Sequence, residues 1–89
     1  MIIRSQDKSK ITNFNQVSDL VVLKSKKDGY DIVACYPYFA DSDCGYSVIA
    51  TYSTEEKAIK VLDEIFRAFR NMAFVDMVTY QMPQDNEVR

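Results

Sequence analysis

Residues 53–72 read "STEEKAIKVLDEIFRAFRNM", and this stretch decides the fold. Ser53 followed three residues later by Glu56 makes a capping box: the hydroxyl accepts from the Glu56 amide while the Glu56 side chain reaches back. Glu55 and Glu56 occupy the first turn, and Arg67 and Arg70 lie near the end, which is the charge order a helix dipole favours. Glu56–Lys60 and Asp63–Arg67 stand at i,i+4 spacing, worth about 0.2–0.5 kcal/mol each. Ala58, Leu62, Ile65, Phe69 and Met72 form one apolar stripe, which Ile59, Val61, Phe66 and Ala73 widen. The spacing predicts one long amphipathic helix over about 54–72. Its apolar surface exceeds what a single sheet face needs. Either the core is large, or the helix packs on a neighbouring protomer as well as on its own sheet.

The segments before the helix read as strands. "YSVIATYS" (46–53) places Tyr46, Val48, Ala50 and Tyr52 on one face with Ile49 on the reverse. "YDIVACY" (30–36) alternates Tyr30, Ile32, Ala34 and Tyr36 against Asp31, Val33 and Cys35. Pro37 has no N–H for a ladder, so pairing is expected to stop there or lie at an edge. "KKDG" (26–29) is a hairpin signal, because Asp-Gly accepts positive φ. Asp19 to Ser25 reads as a firm strand, Ile11 to Phe14 as a short extended piece, and Ile2-Ile3 as the start of another. "FADSDCG" (39–45) is a turn-rich connection. Three sequential strands with short connections make an antiparallel meander. After the helix, Val78 to Met82 add a final strand that Pro83 stops, and 84–89 are expected to form a flexible tail. The expected fold class is α+β: a small antiparallel meander packed by one long helix, with a short C-terminal strand, as a single domain over 1–89.

Composition narrows the function classes. Of 89 residues, 47% are hydrophobic and 12% aromatic, more than a minimal core of this length requires. The excess is expected to face a partner subunit, with a Tyr-rich core as the alternative. The net charge of −2 gives no broad positive field, so nucleic acid is not an expected partner. Lys24, Lys26 and Lys27 border Asp28-Gly29 and read as solvated protection of a sheet edge. Cys35 and Cys44 have no histidine companion anywhere in the chain, which argues against structural zinc. A disulfide between them across the intervening turn is geometrically possible, but no secretory signal accompanies it. Met1 to Lys10 carry no long apolar run, so no signal peptide or membrane span is expected, and the chain is placed in the cytoplasm with reduced thiols.

Catalysis is not expected. The absence of histidine removes the commonest general base. "DSDCG" (41–45) lacks the bidentate glutamate of a calcium loop. Both glycines sit in turns, so no loop cradles phosphate, and Cys44 has no basic neighbour to activate it. Asp63–Glu64 reads as a solvated helix face. No cofactor or metal is implied. Binding has more to work with. "RSQDKSK" (4–10) offers Arg4, Ser5 and Gln6 as donors to phosphate, and Tyr36, Tyr38 and Tyr46 offer faces for stacking on a base. The same string also suits a turn in which Asp7 bonds its own backbone and Arg4 pairs with Asp19 or Asp31.

Three segments together, "IIRSQDKSK" (2–10), "YSTEEKAIKVLDEI" (52–65) and "YQMPQD" (80–85), resemble a group of small proteins of phages and prophages of Gram-positive bacteria. Residues 11–46 match that group only in strand-like character. The resemblance implies an anti-defence role in the host bacterial cytoplasm. One form is a symmetric homo-oligomer that sequesters a cyclic nucleotide or nucleotide-derived messenger without turnover, in pockets between subunits. The alternatives are an inhibitor that binds a host defence protein, as anti-CRISPR proteins do, and an accessory protein without a ligand.

Overall fold

The computed structural model describes residues 2–36, 46–70 and 79–88. The chain is α+β. Strands β1 (Ile2–Arg4), β2 (Ile11–Asn13), β3 (Asp19–Lys24), β4 (Tyr30–Cys35) and β5 (Tyr46–Tyr52) precede helix α1 (Glu55–Arg70), and β6 (Thr79–Gln81) follows it. Single 3-10 turns occupy Phe14–Gln16 and Asp85–Glu87.

The predicted meander is β3-β4-β5, antiparallel throughout. Ser25 to Gly29 turn β3 into β4, closed by the Ser25 N–H donating to the Gly29 carbonyl at 2.9 Å. Gly29 takes φ of +94°, and a Cβ there would run into the Tyr52 carbonyl, so the Asp-Gly signal marks a site that accepts only glycine. A second sheet, not anticipated as such, has the order β2-β1-β6. Here β1 pairs antiparallel with β2 and parallel with β6. Strands of three residues carry too little periodicity to announce their partners.

Helix α1 packs across β3, β4 and β5. Ala58, Val61 and Ile65 face inward and close over Ile32, Ala34, Ile49, Ala50 and Tyr52, while Ile3 and Met82 join the same core from the second sheet. Each fully buried Val, Ile or Met side chain among them stabilises by about 1.5–3 kcal/mol. The helix begins one residue later than the capping box implied. Thr54 is its cap: its carbonyl accepts from the Ala58 N–H and its Oγ1 from the Lys57 N–H at 3.2 Å. The Ser53 N–H is already engaged by Asp85, at 2.7 Å. The predicted stripe positions Met72 and Ala73 lie outside the described residues.

The alternation expected for β5 breaks at Ile49. Ile32 pairs with Ala50 but Val33 pairs with Val48, which leaves Ile49 as a bulge. An extra residue reverses the side-chain faces beyond it. Ala50 and Tyr52 therefore point to the core with Ile49, and Tyr46 and Val48 turn to the outer face with Thr51, instead of sharing the face of Tyr52.

The tail expected from residue 84 is tied down as far as Val88. Gln84 Nε2 donates to the Gln6 carbonyl at 2.7 Å, and Lys57 Nζ meets Asp85 Oδ2 at 3.3 Å. Among the described residues, no helix is long and apolar enough to cross a membrane.

Candidate functional site

The polar run after β1 folds into a turn that consumes most of its own hydrogen-bonding capacity. The Asp7 carboxylate accepts from the Ser9 hydroxyl (2.6 Å), the Ser9 N–H (2.9 Å) and the Ser5 hydroxyl (2.7 Å). These bonds, with those from Ser9 contributing most, hold the Asp7 carboxyl down at about 2. Lys8 takes φ of +66° at the apex. Ser5 is buried: its hydroxyl also accepts from the Lys10 N–H, and its carbonyl accepts from Gln81 Nε2 at 3.0 Å. Gln6 bridges three segments. Its Nε2 donates to the Pro83 carbonyl, its Oε1 accepts from the Thr51 N–H, and its own N–H donates to the Ile49 carbonyl at 2.8 Å.

The three segments quoted for the resemblance thus meet in one place. The Tyr52 hydroxyl donates to Pro83 at 2.8 Å, and Asp85 joins Ser53 and Lys57. Burial first, then the Glu64, Asp85 and Glu87 carboxylates, push the Tyr52 hydroxyl far above its ordinary pKa, so it stays a donor at any physiological pH. Tyr80, raised by burial and by its 2.8 Å bond to Glu64, does likewise.

This arrangement redistributes the six candidate ligand residues. Ser5 and Gln6 are donors to the protein itself. Arg4 is exposed, and its guanidinium reaches the Lys8 carbonyl at 3.5 Å, not Asp19 or Asp31. Tyr36 packs against the core, and Tyr38 lies outside the described residues. Of the two described candidate tyrosines, Tyr46 is the one that stands open, 55% exposed.

Tyr46 lies in a groove of about 400 Å³ on the outer face of the meander. That volume falls within the roughly 300–1,000 Å³ of small-molecule sites. The floor is Val33 and Val48, and the hairpin supplies Leu23, Lys24, Lys26 and Lys27 along the side. Asp31 and Thr51 complete it, the Thr51 hydroxyl donating to Asp31 Oδ1 at 2.6 Å. One tyrosine, three lysines and one aspartate thus line one concave surface. Arg4 does not line it. The lysines, which as edge protection would only be solvated, stand beside Tyr46 because the bulge at Ile49 turns that residue to the outer face.

Cys35 is a half-buried free thiol. Among the described residues, no three His, Cys, Asp or Glu side chains are grouped to hold a metal ion. Comparison with protein families, with curated proteins and with solved structures found no match to this chain.

Proposed function

We propose that the chain binds and holds a nucleotide-type anion, without turning it over, in the groove on the outer face of β3-β4-β5. The observation that carries this reading is that Tyr46 and the cluster Lys24, Lys26 and Lys27 line the same groove. A phosphate takes the ammonium groups as point charges. The base stacks on the Tyr46 ring, and Asp31 accepts from an exocyclic or ring N–H of the base. Val33 and Val48 give the base an apolar floor. With no histidine in the chain to activate the Ser25, Thr51 or Tyr46 hydroxyls, holding the ligand is the reading this surface favours. In the setting the resemblance implies, the ligand is a nucleotide second messenger, and holding it withdraws it from immune signalling.

Calorimetric titration with a panel of cyclic mono- and dinucleotides tests the reading. A saturable heat is expected for at least one of them, weakening as salt rises from 50 to 500 mM because exposed charge pairs are screened over about 10 Å at 0.1 M. Tyr46→Ala is expected to cost about 1–3 kcal/mol of binding, and chromatography after incubation should return the nucleotide intact. Absence of heat and of thermal shift across the panel would overturn the proposal.

A further inference from the structure

One flank of α1, next to its buried face, carries a second feature, independent of the groove. Ile59, Leu62, Phe66 and Phe69 follow one another at spacings of three, four and three, the a/d pattern of a helix that pairs with another helix. The core-facing side chains Ala58, Val61 and Ile65 lie on the neighbouring flank; Leu62 packs at the margin of the core and the Phe69 ring meets Phe14 at 5.3 Å. Ile59 is 45% exposed, Phe66 59% and Phe69 49%. Beside this seam lies a hollow of about 310 Å³ bounded by Phe14, Leu20, Leu62 and Phe66, open to an entering apolar side chain.

Charge says what fits. Along the 16 residues of α1 the first turn is acidic, at Glu55 and Glu56, and the last is basic, at Arg67 and Arg70. A surface acidic at one end and basic at the other complements itself only when a copy is turned end for end. An isologous two-fold does that.

We propose that this face pairs antiparallel with the same face of a second copy of the chain. The two-fold axis falls beside Leu62 and Asp63. Ile59 of one copy then lies against Phe66 of the other, and Glu56 beside the seam meets Arg70 of the second copy, the arginine that already sits over the Phe66 ring. The two helix dipoles oppose, which favours the same arrangement. Asp63 is the least favourable residue on the seam, because the two copies bring this side chain together near the axis.

Sedimentation equilibrium over a concentration series tests the pairing on the full chain. The expected mass is twice the 10.3 kDa of the chain. Phe66→Glu and Ile59→Glu should give monomers with unchanged circular dichroism, since both side chains already face solvent. Glu55→Lys with Glu56→Lys, and separately Arg67→Glu with Arg70→Glu, should each lower self-association at least tenfold. Mixing those two double variants should restore a dimer containing one of each, and Asp63→Asn should tighten the wild-type dimer. A wild-type monomer up to about millimolar concentration, a weaker affinity than about −4 kcal/mol, overturns the proposal. So does a dimer that survives Phe66→Glu, or charge-reversed variants that fail to pair with each other.

Discussion

Gln6 and Pro83 stand 77 positions apart, and Gln6 Nε2 donates to the Pro83 carbonyl at 3.2 Å; the Tyr52 hydroxyl donates to the same oxygen at 2.8 Å. One carbonyl thus ties the turn after β1, the end of β5 and the chain after β6. Within "RSQD", Gln6 is committed to this junction, and Ser5 and Asp7 to the turn beside it.

Gln6→Ala leaves the Thr51 N–H without its side-chain acceptor and removes one of two donors to Pro83. A half-buried group stripped of its partner costs about 1–3 kcal/mol. Tyr52→Phe removes the other donor, and about 1 kcal/mol is expected. Because both bonds end on one oxygen, the double variant should depart from additivity by at least about 0.5 kcal/mol in urea unfolding. Strict additivity would mean the two bonds act separately.

Truncation after Gln84 removes Asp85, and with it the acceptor of the Ser53 N–H and the partner of Lys57. The loss resembles that of a helix cap plus a surface ion pair, about 1–2 kcal/mol together. A loose tail would leave the melting temperature where it is, so an unchanged Tm rejects this contact.

Acid should loosen the turn at Asp7. Its folded-state pKa, at about 2, lies below the ordinary 3.8, so the ionised form is favoured by folding. That contribution is fully present above about pH 4 and is lost as pH falls through 2. Asp85 is shifted the same way by the Ser53 N–H, so part of any acid transition belongs to it. Carboxyl chemical shifts followed from pH 6 to pH 1.5 should give an Asp7 midpoint near 2, and a midpoint near 4 would exclude the three bonds in solution.

Gly29→Ala should be among the most damaging single-methyl additions in the chain. The left-handed φ costs about 1–3 kcal/mol in a non-glycine residue, and the Cβ also meets the Tyr52 carbonyl. A loss under about 0.5 kcal/mol would show that the hairpin and β5 part easily, since a small penalty requires the backbone to yield.

The helix was legible because its signals are local: acidic first turn, basic last turn, and apolar residues at 3.6-residue spacing. The Asp-Gly hairpin was legible for the same reason, and it aligned β3 with β4 as expected. The second sheet was not, because β1, β2 and β6 are three residues each and their pairing is decided by chain many positions away. The candidate site divides along the same line. Tyr46 could be named from its type, but Ser5 and Gln6 acquired their roles from Gln81, Thr51 and Pro83, none of them a sequence neighbour. Lys24, Lys26 and Lys27 looked like ordinary hairpin charges until the sheet set them beside Tyr46.

The bulge at Ile49 acts as a parity element. Tyr46 and Tyr52 stand six positions apart, so an unbroken strand would send both rings to the same side. The one-residue offset gives the core an additional isoleucine and delivers a tyrosine to the solvent side in the same stroke. Interior packing and exterior recognition are therefore set by a single backbone irregularity. Straightening the bulge without removing a residue would exchange Tyr46 and Val48 for Ser47 on the outer face, and deleting Ile49 would keep both outside but take that isoleucine from the core, so the groove cannot drift independently of the core beneath it.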